Sequence, residues 1–369
     1  MLFAGTLVSL REIQPASFRA TVGPRELDYK SPKGKISRLD QTVTPMSLQE
    51  KFVSLEGHLS GLVVGQKQLL NRMLVALLCD GHLLVEGAPG LAKTRAIKVL
   101  SHSVEGDFHR LQFTPDLLPA DLTGTEIYRP QDGSFVFREG PLFHNLILAD
   151  EVNRAPAKVQ AALLEAMGER QITVGSVTYR LPELYMVMAT QNPIEQEGTY
   201  PLPEAQLDRF LMQVLVDYPN AAGEHAILEI NRREASRAAD DAELFEPKTV
   251  LTQADVIAAR HEVLQVHLAP PLEEYIVQVV LGTRRSERYG EDLRDLLQYG
   301  ASPRATIALD RCSRAHAWLA GRDYVTPEDV QSMAHDVLRH RILLSFEAEA
   351  AGRGADEVVD ELLARIGVP

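Results

Sequence analysis

The sequence predicts an α/β fold, a parallel sheet covered by helices on both faces, followed by a smaller all-helical region. Three observations predict it. Between residues 82 and 216, short apolar runs at 82–86, 108–113, 146–149, 184–189 and 211–216 alternate with segments of helical spacing. Short, nearly all-apolar strands separated by helices indicate a parallel sheet buried on both sides. Beyond Pro219 strand-like runs give way to helical spacing. Finally, 369 residues with 45% hydrophobic and 24% charged side chains have the composition of a soluble globular chain with room for two domains. The expected divisions are 1–45, 46–218 and 219–369.

Residues 1–45 stand apart. They hold seven Lys or Arg against four acids, so this stretch is +3 while the rest of a chain of net charge −13 is −16. Pro15, Pro24, Pro32, Gly34 and Pro45 interrupt it and no period is sustained. Met1–Leu10 is apolar but lacks the basic start of a signal peptide. The stretch reads as a disordered extension, as sequence upstream of a start at Met46, or as a docking or regulatory arm. Helical spacing begins at Leu48, Phe52, Leu55 and Leu59 and resumes at Leu69, Met73, Ala76 and Leu77, predicting helices over 48–61 and 66–79.

The strand at 82–86 runs into Gly87-Ala88-Pro89-Gly90-Leu91-Ala92-Lys93-Thr94, and helical spacing follows at once. Strand, glycine-bearing turn, lysine, hydroxyl and helix is the layout of a phosphate-binding loop. Its backbone N–H groups and the helix N-terminus make an anion site for a nucleoside triphosphate. Lys93 would reach the β- and γ-phosphates and Thr94 would hold Mg²⁺. Ala92 stands where the general pattern has glycine, which a methyl group tolerates only if φ is negative.

Two hairpin-like insertions follow. Thr125–Arg129 and Ser134–Arg138 flank Asp132-Gly133, and Gln171–Val174 and Val177–Leu181 flank Gly175-Ser176. Either could be a plain surface hairpin. In the helical region, Thr252 with Asp255 and Thr326-Pro327-Glu328-Asp329 both read as helix starts. Residues 347–363 have ordinary helix composition. Cys79 and Cys312, each in apolar surroundings, read as buried thiols of a reducing cytoplasm. No apolar run approaches the ~18 residues that span a bilayer.

The run Leu146-Ile147-Leu148-Ala149 ends in Asp150-Glu151, 57 residues after Lys93. A parallel strand delivers its C-terminal residues to the ligand crevice, so Asp150 would hold the Mg²⁺ hydration shell and Glu151 would orient or deprotonate the attacking water. The run 184–189 ends in Thr190-Gln191-Asn192-Pro193. Asn192 can hydrogen-bond both that water and a γ-phosphate oxygen, or simply turn the chain before proline. Arg209, just before the last strand, and Arg304, opening a helix, stand out by context. Isolated arginines are usually solvated; a transferring phosphoryl group would also use them. Sequence spacing leaves both readings open.

The ordered strings GAPGLAKT, LILADEVNRAP, AALLEAMGERQIT, MATQNPIEQEGTYPLPEAQLDRF and GASPRA, with Leu111–Pro119 and Asp121–Gly124, closely resemble the MoxR family of AAA+ ATPases. The resemblance covers residues 46–369, and Ala92 agrees with this family's variant of the loop. It implies an AAA+ P-loop core with a helical lid, Walker-A roles for Lys93 and Thr94, and Walker-B roles for Asp150 and Glu151. Asn192 matches sensor 1 and Arg304 sensor 2. Arg209 matches the arginine finger, which acts on the neighbouring subunit's ATP. The hairpins 125–138 and 171–181 look like the helix-2 insert and the pre-sensor hairpin, both facing a ring pore. The family implies a hexameric homo-oligomer that uses ATP and Mg²⁺ to remodel or assemble a client protein complex, often with a von Willebrand factor A-domain partner. Arg304 touching phosphate in only one arrangement would couple turnover to lid motion. Two rivals remain: a nucleotide-gated scaffold with little turnover, and a DNA motor. The acidic balance disfavours nucleic acid.

Overall fold

A computed structural model describes residues 46–193, 198–236 and 251–369. The reading of residues 1–45 lies outside the described residues, as do Ile194–Glu197 in the resemblance strings and 237–250 in the helical region.

Ser47 and Glu50 form a reciprocal cap that starts α1 (Leu48–Leu62), and α2 (Lys67–Leu78) follows. Then come β1 (Leu83–Gly87), α3 (Lys93–Ser103), β2 (Phe108–Gln112), α4 (Pro119–Thr123), β3 (Gly124–Arg129), β4 (Ser134–Glu139) and β5 (Leu146–Asp150). The chain continues through α5 (Ala157–Glu169), β6 (Gln171–Val174), β7 (Val177–Arg180), β8 (Met186–Gln191), α6 (Glu204–Leu207) and β9 (Met212–Val216). The five predicted strands form one all-parallel sheet in the order β2-β5-β8-β1-β9.

Alternation along the strands divides the core between the faces. Leu83, Val85, Leu146, Leu148, Met186 and Met188 face one cluster. Leu84, Ile147, Ala149, Val187 and Ala189 face the other, with Val159, Leu163 and Met167 of α5. Both faces are apolar because both are covered, as a parallel sheet requires. The strand order reverses around β1 and β8, so their C-terminal ends open a crevice.

Both insertions are antiparallel hairpins, β3–β4 and β6–β7. They lean on each other: the Phe137 ring stacks on Tyr179 with centroids 4.1 Å apart, and Phe143 meets Phe137 edge-on at 5.6 Å.

The later elements are α7 (Ala221–Ser236), α8 (Gln253–Gln265), α9 (Pro270–Arg284), α10 (Glu291–Arg294), β10 (Leu297–Tyr299), α11 (Pro303–Leu319), α12 (Pro327–Leu338), β11 (Leu343–Leu344), α13 (Phe346–Ala350) and α14 (Ala355–Arg365). Thr252–Asp255 and Thr326–Asp329 cap α8 and α12 reciprocally, as their spacing predicts. Among the described residues the region departs from all-helical at the β10–β11 pair and at isolated bridges of Leu251 with Val104 and His267 with Tyr324, all too short to leave a period in sequence. Residues 46–369 form one compact unit. Buried residues of α8, α9, α11, α12 and α14 belong to the same cluster as α1–α3 and one face of the sheet. Buried charge reinforces this: Asp336 of α12 takes Arg72 of α2 at 2.6 Å and Arg339 at 2.6 Å, and Arg339 also donates to the Gln213 carbonyl of β9 at 2.5 Å. Removing one member of such a buried set strands the others, so it holds α12 in register on the sheet. Among the described residues no helix is long and apolar enough to cross a membrane.

Candidate nucleotide site

The loop between β1 and α3 turns the chain from strand to helix within five residues. Gly90 has φ +84°, and Ala92, at the cap of α3, has φ 59° and ψ 17°. The loop therefore carries a methyl group at positive φ, against the condition that a methyl needs a negative one. The Ala92 carbonyl accepts the first helical bond, from the Ala96 N–H at 2.9 Å. The left-handed conformation costs an L-residue with a Cβ about 1–2 kcal/mol, and positions of this kind cluster at functional sites.

Lys93 opens α3. Its Nζ donates to the Gly87 carbonyl at 2.7 Å and to the Gln191 carbonyl at 3.4 Å, bridging the loop and the end of β8. Burial holds its pKa below the ordinary lysine value, while Asp150, Glu151 and Glu86 act in the opposite direction. Its Nζ is thus surrounded by oxygen acceptors.

Asp150 ends β5 and is almost fully buried. Thr190 of β8 donates to its Oδ1 at 2.6 Å, and Arg110 of β2 donates to its Oδ2 through Nη2 at 2.6 Å and Nε at 3.2 Å. Glu151 is a second non-glycine residue in the left-handed region, at φ 57°. Its N–H donates to Thr190 Oγ1 at 2.9 Å, while Gln112 and Arg154 donate to its Oε2 at 2.7 and 2.9 Å. Thr190 thus orients both acids. Asn192, buried just beyond β8, joins them. A cavity of about 390 Å³ brings together Gly90, Ala92, Lys93, Thr94, Asp150, Glu151 and Asn192 with Arg110 and Thr190. Its size suits a small ligand. A carboxylate, two hydroxyls and an amide are the hard oxygen donors that Mg²⁺ takes, and the loop's amides and Lys93 suit polyphosphate.

Arg209 and Arg304 are not in this cavity. They share another, of about 340 Å³, beside α11. Arg209 Nη1 donates to the Leu164 carbonyl at 2.8 Å and lies against Gly168, where a Cβ would come within 2.1 Å of it. Arg304 Nη1 meets Asp208 Oδ2 at 3.3 Å. Asp208 also accepts from Ser302 Oγ at 2.8 Å and from the buried Arg341 at 2.9 Å. A larger cavity, about 500 Å³, adjoins this group at Tyr299 and Ile342. It holds none of the loop or strand-end residues, so volume alone does not pick out the site.

Sequence reading missed Arg110, Gln112, Arg154, Thr190, Asp208 and Gly168. Arg110 had a usable signal, being a charge inside a strand otherwise read as buried. The others act through hydrogen bonds that depend on register between strands, or on close approach.

Comparison with known proteins agrees with this geometry. Residues 82–212 match the family profile described as the ATPase family associated with various cellular activities, and residues 292–362 match the AAA lid domain. Chaperone MoxR1 of Mycobacterium tuberculosis is 43% identical over 309 residues, covering 84% of this chain and 80% of that protein. Protein MoxR of Paracoccus denitrificans is 33% identical over 331 residues, 86% and 96% of the two chains. A solved structure from Cytophaga hutchinsonii superposes with a TM-score of 0.80 at 44% identity, covering 87% of this chain and 96% of that one. With the loop, the paired strand-end acids and the lid in one connected chain, and relatives matched over most of their length, this protein belongs to the MoxR family of AAA+ ATPases.

Proposed function

We propose that the chain is a Mg²⁺-dependent ATPase working in a hexameric ring to remodel or assemble a client protein complex, with a von Willebrand factor A-domain protein as partner. In this reading residues 46–218 are the ATPase core and 219–369 the lid. Lys93 and the loop N–H groups of Gly87–Ala92, all but Pro89, hold the phosphates, and Thr94 and Asp150 hold the metal. The bound Mg²⁺ would neutralise phosphate charge and orient the terminal phosphoryl group. Glu151 takes the proton of the attacking water, and Asn192 positions that water against the phosphate. The ring works in the cytoplasm, consistent with the two buried free thiols Cys79 and Cys312.

The observation that carries this reading is the separation of charges. Arg209 and Arg304 lie together in a cavity that contains no phosphate-loop residue, so their best use is on an anion brought by a neighbouring subunit. The shared core and the Arg72–Asp336–Arg339 set argue that lid and sheet move together, placing motion between subunits instead of within one. A scaffold with little turnover has one observation in its favour: Asp150 and Glu151 are each held by an arginine of their own chain. Steady-state ATP turnover against protein concentration, for wild type and Glu151→Gln, decides between them. A per-subunit rate that rises with concentration and falls by about 10²–10⁴-fold in the variant supports the ring ATPase. Equal, negligible rates favour the scaffold. Salt-dependent binding to DNA would instead favour the motor reading.

A further inference from the structure

The phosphate cavity contains a cation to which no step has been assigned. Arg110 projects from the edge strand β2, level with Leu148, two residues before Asp150. Two of its N–H groups converge on one oxygen, Oδ2 of Asp150, and Nη2 also reaches Gln112 Oε1 at 3.4 Å. Thr190 occupies the other oxygen. Arg110 is half exposed, with 51% of its side-chain surface in solvent, against 13% for Asp150. The acid is therefore fixed by its strand and by Thr190, whereas the guanidinium sits on a flexible stem at the mouth of the cavity.

A guanidinium keeps its charge at any ordinary pH. A hydrated divalent cation held by Thr94 and Asp150 needs the same carboxylate charge that Arg110 neutralises, and the two cations repel at this range. We propose that Arg110 is a built-in competitor for the divalent cation at Asp150. Metal binding requires it to release Oδ2, so Arg110 sets the Mg²⁺ concentration at which nucleotide is held. Its alternative partner, the Gln112 side chain, lies on the same strand. This inference rests on the proposed use of Mg²⁺ with nucleotide. It makes Arg110 a positioning residue, acting through Asp150.

The test is a Mg²⁺ titration of mant-ADP binding, followed by fluorescence, on the full chain as wild type, Arg110→Gln and Arg110→Lys. The Gln variant should reach half-saturation at about tenfold less Mg²⁺, within the usual range for two coupled sites. The Lys variant keeps the charge but loses the two-pronged contact, so its shift should be smaller and in the same direction. It carries the comparison if the Gln variant does not fold. An unchanged or raised Mg²⁺ requirement in the variants, with wild type binding in a Mg²⁺-dependent way, overturns the role of Arg110 alone. Wild type that binds mant-ADP equally with Mg²⁺ and with EDTA overturns the Mg²⁺ reading and this inference together.

Discussion

In the phosphate-loop cavity each acid has an arginine from its own chain: Arg110 on Asp150 and Arg154 on Glu151. In the cavity beside α11 arginines outnumber the acids more strongly. Arg170, Arg209, Arg304, Arg311 and Arg341 line it against only Asp80 and Asp208. The first lies at the C-terminal ends of β1, β5 and β8 and the second beside the residues that precede β1 and β9, and the second carries the larger excess of cations over acids. Asp208 shows how the surplus is held. It takes Arg341 and Ser302 in buried contact and leaves Arg304 at 3.3 Å with more than half its side chain exposed. Arg304, left more than half exposed beside this acid, is suited to an anion from outside the chain. On the proposed reading, the first cavity serves a ligand of this chain and the second that of a neighbouring subunit.

The strongest way to break this comparison is to mix two inactive proteins. Arg209→Ala should lose on the order of 10³-fold in turnover while still binding mant-ADP, and Lys93→Ala should lose nucleotide binding itself. If Arg209 serves a neighbour, an equal mixture should recover roughly a quarter of the wild-type rate, because random head-to-tail interfaces pair an intact loop with an intact arginine that often. No recovery in co-assembled rings would place Arg209 on its own chain's site and end the contrast.

A smaller effect sharpens the same point. A methyl group at Gly168 would come within 2.1 Å of Arg209 Nη1, and the far end of a flexible side chain can move aside without unfolding anything. Gly168→Ala should therefore keep its melting temperature and its mant-ADP affinity while turnover drops about 10- to 100-fold, the scale of an ångström-level misplacement. Normal turnover would mean that Arg209 does not need its bond to Leu164.

The smallest expected effect lies in the loop. Ala92→Gly removes the left-handed strain but adds freedom to the unfolded chain, leaving a net gain of about 0.5–1 kcal/mol. Denaturant unfolding would register it as a higher midpoint with unchanged slope. A lower midpoint would show that the Ala92 methyl contributes packing that outweighs the strain.

Much of the fold is legible in the sequence. The five strands lie within two residues of where the apolar runs put them; the interior strands β1, β5 and β8 are the clearest, because a strand buried on both faces cannot carry many polar residues. The helix starts at Thr252 and Thr326 are legible because a side-chain cap and its partner three residues on are local chemistry. Of the site residues, Lys93, Thr94, Asp150, Glu151 and Asn192 meet in one cavity, since strand order carries the ends of β1, β5 and β8 to the same edge. The φ of Ala92 is not legible from the residue because it answers to the turn as a whole.

The sequence by itself determined the class of fold, the loop, the two acids and the resemblance that names the family, all of which reside in contiguous residues or in their order along the chain. Tertiary structure alone decided that Arg110 lies on Asp150, that Thr190 orients both acids, and that Arg209 and Arg304 share a cavity away from the phosphate loop. These depend on which strands become neighbours, in what register, and on a glycine in α5 leaving room for a guanidinium. Such contacts join residues 40 to 96 positions apart in the chain, and no local pattern of charge or hydrophobicity encodes a distance across a sheet.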